Sequence, residues 1–92
     1  MVFEWDPRKA DHNIRKHRIS FDEALTVFMD PFAVTFDDPD HSPGEHRSIT
    51  IGLSASRRIL FIAHAERGER IRMISARRAT RKEARAYQES EF

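Results

Sequence analysis

The sequence predicts an α+β fold, and three observations carry that prediction. Apolar residues recur at helical spacing between Pro7 and Phe28. From Phe32 to Ile74 the period becomes two, in short segments divided by turn formers. After Thr80 the helical spacing returns. Helices grouped before and after a run of strands fit an antiparallel meander with helices packed on it.

The elements follow in order. Val2-Phe3-Glu4-Trp5 is short, aromatic and alternating, which suits an edge strand. Asp6 is placed to N-cap a helix with Pro7 at its first position, where a missing N–H costs nothing. That helix runs to about His17. Ala10, Ile14 and His17 share one of its faces; Lys9, Asn13 and Lys16 share a neighbouring one. Ser20 with Glu23 forms a capping box for a second helix, whose stripe is Phe21, Ala24, Leu25 and Phe28 and whose end is Asp30-Pro31. Phe32 to Phe36 reads as a strand. Asp37 to Gly44 is dense in turn formers and reads as a loop. Arg47 to Leu53 is the next strand, with Ile49, Ile51 and Leu53 on one face. Ser54-Ala55-Ser56 turns the chain. Ile59 to Ala63 is apolar on both faces, which places it centrally in the sheet. Arg67-Gly68 is a hairpin tip, and a basic strand returns from Arg70. Thr80 and Glu83 form another capping box, opening a helix to about Glu91. The second and third helices are expected to cover the hydrophobic face of the sheet.

Composition narrows the class. A chain of 92 residues makes one domain, spanning 1–92, with a modest core. With 34% charged and 39% hydrophobic residues it reads as globular. Cysteine is absent, which excludes disulfides and thiolate zinc sites. No apolar run is long enough to span a bilayer and the start lacks a signal pattern, so a cytoplasmic protein without membrane contact is expected.

Charge is concentrated in one place. From Arg70 to Lys82 the chain carries Arg70, Arg72, Arg77, Arg78, Arg81 and Lys82 and no acid, on a net charge of only +1. Arginine forks match phosphate oxygens two at a time, so a polyanion is the natural ligand. A solvated face is the competing reading.

Phe3-Glu4-Trp5-Asp6, Lys9, Asn13, Lys16-His17, Phe21, Glu23-Ala24, Val27-Phe28, Asp30-Pro31, Glu45-x-Arg47, Gly52, Arg67-Gly68 and Arg72-x-Ile74-Ser75-Ala76-Arg77 through Tyr87 together carry a resemblance. Over nearly its whole length the chain resembles the BrnT family, toxins of type II toxin–antitoxin systems. The resemblance implies a RelE-like fold and a ribonuclease activity that halts translation. It also implies neutralisation by a BrnA-type antitoxin, and operator DNA contacted only through the antitoxin of the complex.

RNA carries its own nucleophile, the 2′-hydroxyl. A protein cleaves the chain by removing that proton, stabilising the charged phosphorane and protonating the leaving 5′-oxygen. Arginines suit the middle task; a titrating group is needed for the others. Arg47 shares a strand face with Ile49 and Ile51 but begins the strand, and His64 shares one with Leu60 and Ile62 but ends it. Strict alternation puts Arg72 with Ile74 and Ala76. The catalytic candidates are therefore Arg72, Arg47 and His64, joined by Lys9 and His17 about two turns apart on the first helix. A lone His such as His64 is more often a core histidine, His17 reads also as a cap of the helix C-terminus, and Tyr87 reads first as a packing aromatic with a wet hydroxyl. Arg67, Ser75, Arg77, Arg78 and Arg81 form the RNA-binding set; Arg77 and Arg78 must point to opposite faces, and Arg77 is favoured. Asp37, Asp38 and Asp40 invite a metal, but Pro39 interrupts them and an EF-hand's later ligands are missing, so no metal and no cofactor are expected. The acidic loop could instead offset the basic stretch, or occupy it when RNA is absent. A non-catalytic nucleic-acid or partner-binding module built on residues 70–82 is the alternative function.

Overall fold

A computed structural model describes residues 1–38 and 45–89. The loop reading for 39–44, with Asp40 and His41, and the helix end at Glu91 lie outside the described residues. The elements are β1 (Val2–Glu4), α1 (Pro7–His17), α2 (Phe21–Thr26) with a 3-10 turn at Val27–Met29, β2 (Val34–Asp37), β3 (Arg47–Leu53), β4 (Ile59–Arg67), β5 (Arg70–Arg78) and α3 (Arg81–Glu89). The strands form one five-stranded sheet in the order β1-β5-β4-β3-β2. β4 is central and β1 lies at an edge, as the apolar pattern implied. The sheet is mixed, however, because β1 pairs parallel to β5 while β2 through β5 form the antiparallel meander.

Local chemistry sets the helix starts. The Asp6 carboxylate accepts from the Arg8 N–H at 2.8 Å ahead of Pro7. Thr80 and Glu83 complete their capping box, with bonds of 2.8 and 3.2 Å. Ser20 accepts from the Glu23 N–H at 3.0 Å, but the box expected there is only half made. The Glu23 carboxylate turns away to Ser54 and Arg58, an ion pair that ties α2 to the β3–β4 turn. Gly68 turns the β4–β5 hairpin with φ 62, a left-handed conformation that glycine adopts without strain. Gly52 lets β3 pass under the 3-10 turn: a Cβ there would lie 2.8 Å from Val27 Cγ1 and 2.9 Å from Ala33 Cβ.

The sheet has a core on each face. Ile19, Phe21, Ala24 and Val27 pack on Leu60, Ile62, Ile71, Met73 and Ala76, with Phe3, Trp5 and Ala10 at the margin. Tyr87 of α3 packs on Ile49 and Ile51, with Phe61 and Ala63 alongside. The expectation that the second and third helices share one face is therefore corrected. α1 and α2 cover one face, and α3 covers part of the other.

Two details differ from strict periodicity. Between Ala63 and His64 of β4 the partner slips from Ser75 to Met73, leaving Ile74 as an extra residue in β5. Met73 and Ala76 are thus both buried on the α1/α2 face, and Arg72 joins Ser75 and Arg77 on the opposite face rather than Ile74 and Ala76. β4 also continues to Arg67, so His64 lies inside the strand instead of at its end.

α1 is anchored by a polar residue. Asn13 is 3% exposed, while Ile14 is 43% exposed. The Asn13 amide donates to Ala76 O at 2.8 Å and Ile19 O at 2.9 Å, and its carbonyl accepts from Ala76 N at 3.0 Å. β1 pairs β5 only through Arg72, so Asn13 takes the place of a strand partner farther along that edge. Asn13→Ala strips Ala76 of both bonds and is expected to cost about 2–4 kcal/mol. The check is urea unfolding: the midpoint should fall with little change in slope. An unchanged midpoint would remove Asn13 from this role.

Candidate functional site

Cross-strand register lays out the face that α3 only partly covers. Arg47, Ala65 and Arg72 stand side by side on β3, β4 and β5. The next row is Phe36, Ile49, Ala63 and Ser75, and the next is Val34, Ile51, Phe61 and Arg77. Tyr87 covers Ile49 and Ile51. The arginine row lies beyond that cover. Ala65, fully buried and small, leaves a shallow gap between the two arginines.

Glu45 occupies this gap. Its carboxylate is ion-paired with Arg72, lies 3.2 Å from Arg67 Nη2 and 3.5 Å from Arg47 Nε. The three guanidiniums therefore converge on one carboxylate. The hydrogen bond from Arg72, with Arg67 behind it, holds the Glu45 pKa below the usual carboxylate range. The cluster is half-buried: the side chains of Arg47, Arg72 and Glu45 are 26%, 28% and 21% exposed. The Nε atoms of Arg47 and Arg72 are buried and have no hydrogen-bond partner among the described residues. Such an arrangement can hold an oxyanion and leaves these two Nε–H groups without a hydrogen bond.

The remaining candidates fall into separate groups. The Arg77 guanidinium bonds Glu83 at 2.8 and 3.0 Å and lies 4.0 Å over the Phe61 ring, so it fixes the start of α3. Arg78 opposes it on the other face, opposite Leu60, as strand alternation requires. Ser75 is half-buried on the arginine face, in the row between those of Arg72 and Arg77. Arg67 joins the Glu45 cluster, Arg70 pairs with Glu4 at 3.2 Å, and Arg81 is exposed at the start of α3. The basic segment that carries no acid of its own thus draws Glu4, Glu45 and Glu83 from elsewhere. Lys9 is exposed on α1. His17, at the end of that helix, has its pKa lowered by burial and then by the charges of Lys16 and Arg77.

His64 is not brought to the arginines. It lies on the α1/α2 face, 1% exposed, with Nε2 2.8 Å from Thr50 Oγ1, which in turn lies 2.7 Å from Thr35 Oγ1. Its ring meets Phe28 edge-on at 5.2 Å, and its Nδ1 has no partner among the described residues. It lines a cavity of about 520 Å³ with Phe28, Thr35, Glu66 and Ile71. Burial lowers its pKa. The Tyr87 hydroxyl, expected to be wet, donates to Asp30 at 2.6 Å. Among the described residues no three His, Cys, Asp or Glu side chains are gathered to hold a metal ion, and no helix is long and apolar enough to cross a membrane.

Periodicity missed Glu45 and Asn13 because neither lies on an apolar stripe. Both stood in the pattern of the family resemblance, Glu45 two residues before Arg47, and that was the signal that marked them.

Comparison with known proteins adds three findings. The family model of the ribonuclease toxin BrnT of type II toxin–antitoxin systems matches residues 5–83. The crystal structure of the Brucella abortus ribonuclease toxin BrnT superposes with a TM-score of 0.66 at 24% identity, covering 88% of this chain and 100% of that one; this likeness supports the fold. No curated protein matches the chain.

A buried neutral histidine makes stability depend on pH. The folded pKa of His64 lies below its unfolded value of about 6.5, so the unfolded state takes up the proton first. Its contribution is complete above about pH 6.5 and is lost as pH falls through the folded pKa. His17 acts in the same direction, whereas exposed His46, raised by Asp37 at 2.8 Å, acts in the opposite one. Denaturant unfolding between pH 7 and 5 should show falling stability, by at most about 1.4 kcal/mol per pH unit for one proton. His64→Gln should flatten that slope; an unchanged slope would assign it elsewhere.

Proposed function

The chain belongs to the BrnT family of ribonuclease toxins of type II toxin–antitoxin systems, and from that premise we propose a metal-independent endoribonuclease that cuts RNA through the substrate's own 2′-hydroxyl. The observation that carries this reading is the Glu45 carboxylate ion-paired with Arg72, Arg67 and Arg47, whose Arg47 and Arg72 Nε–H groups make no hydrogen bond. A phosphodiester offers the same anionic oxygens in a tetrahedral array, and its extra acceptors suit those donors. RNA would displace Glu45, and the arginines would then stabilise the charge that builds on the phosphorane.

The step balances without a further reagent. The 2′-oxygen loses its proton and bonds to phosphorus, the P–O5′ bond breaks, and a proton returns to the 5′-oxygen. The products are a 2′,3′-cyclic phosphate and a 5′-hydroxyl. Proton transfer falls to Glu45 when displaced, or to His17, which ends α1 along the β5 edge and feels the charge of Arg77. Lys9 lies exposed on α1, the helix that covers the opposite face. His64, on the other face, acts on the site only through the sheet.

A type II toxin has a protein antitoxin, and the half-open arginine face is the surface whose coverage would silence it. We read the partner as BrnA-type, the complex as contacting operator DNA through that partner, the fold as RelE-like and the outcome of cleavage as a halt in translation.

Purified protein incubated with RNA in EDTA is the direct test. Cleavage is expected, and Arg72→Ala should slow it about 10²-fold or more, the scale of losing one transition-state donor. Circular dichroism must show that the variant still folds. RNA carrying 2′-deoxyribose at the cut site should resist cleavage. RNA that is bound but left intact by the wild type would instead favour the non-catalytic binding module. Glu45→Gln, which removes the internal competitor, is expected to lower KM for RNA several-fold.

A further inference from the structure

We propose that Phe36 is a nucleobase-stacking platform, a subsite for the base next to the phosphate held by the arginine cluster. The proposal rests on the RNA-cleaving reading for the place of that phosphate.

Phe36 belongs to the edge strand β2 and is 47% exposed. Its register partner is Ile49, which puts it on the same face as Arg47 and one row away. Successive rows on one face are about 7 Å apart, and a diagonal neighbour at that distance is within reach of aromatic and long side chains. Moving across the sheet, Arg72, Ala65 and Arg47 lead towards the β2 edge where Phe36 stands. Asp37, the next residue, alternates to the opposite face and pairs there with His46 at 2.8 Å. The phenyl ring and the guanidiniums therefore share one side of the sheet.

An exposed aromatic beside convergent arginines has the two parts of a single-strand site: charge for the backbone and a π-face for a base. Tyr87 covers Ile49 in the same row and Ile51 in the next, and the Phe36 ring stays half open. Stacking needs no hydrogen-bond code, so Phe36 would tolerate any base and favour purines through their larger area.

The probe is single-stranded 2′-fluoro RNA carrying one 2-aminopurine, which binds but offers no nucleophile. Stacking on Phe36 should quench the probe's fluorescence. Phe36→Leu should abolish the quench and weaken binding about tenfold, whereas Phe36→Trp should keep both. Arg72→Ala should weaken binding yet retain the quench at saturation. Replacing the aminopurine's neighbours and then its own position by abasic units should erase the difference between wild type and Phe36→Leu at the stacked position. Equal quench and affinity for Phe36→Leu, the result expected if Phe36 serves only a protein partner, would overturn the proposal. So would failure of the wild type to bind the probe. A failure of the cleavage reading appears separately, as cleavable RNA that the wild type binds without cutting.

Discussion

A β-strand presents only every second side chain to a given face, and the bulge at Ile74 breaks that rule once in β5. Its effect runs in both directions along β5. Towards α3, Ala76 packs inward and Arg77 lies over Phe61. Towards the hairpin, Ile71 and Met73 pack inward and Arg72 meets Arg47 across Ala65. Without the extra residue, the buried side of one half would become the exposed side of the other. One inserted residue therefore serves both the core beneath α1 and α2 and the arginine row on the opposite face.

The bulged strand also needs its outer edge closed. β1 covers the first three residues and then leaves, and β5 beyond it would expose unpaired backbone groups. Asn13 supplies a donor and an acceptor to Ala76 and a third bond to Ile19 O, at the junction between α1 and α2. That geometry explains why a polar residue is buried where Ile14 stays in solvent. It also fixes α1 along the β5 edge, which sets the position of His17 relative to Arg77.

Half-buried arginines need counter-charge, because a guanidinium taken from water without a partner costs several kcal/mol. The fold meets this need with one acid for each: Glu45 for Arg72 and Glu23 for Arg58, both distant in sequence, and Glu83, six residues on, for Arg77. The pairs differ in what surrounds them. Glu83 is bound into a capping box and grips Arg77 with both oxygens, an arrangement that suits a permanent joint. Glu45 stands two residues before β3 amid three arginines, two of which have an Nε–H that makes no hydrogen bond. An anion with more oxygens than a carboxylate can compete for the second place but gains little at the first.

The amino-acid sequence determined the α+β class, the helix caps at Asp6 and Thr80, the central position of β4 and the family to which the chain belongs. These follow from local signals: period, capping residues and a long pattern of matched positions. Tertiary structure decided the rest. The bulge reversed the face of Arg72, because register depends on how two strands pair and not on either strand alone. The parallel pairing of β1 joins residues about 70 positions apart in the chain, a separation on which local preference has no bearing. His64 and Arg47, each read as a polar end to an apolar face, proved to lie on opposite sides of one sheet. Strand alternation gives the parity within each strand, but only cross-strand register says which parities coincide. Glu45 joined the arginines for the same reason: its partners Arg67 and Arg72 come from the far side of the β4–β5 hairpin, and the long-range pairing of β3, β4 and β5 brings them together.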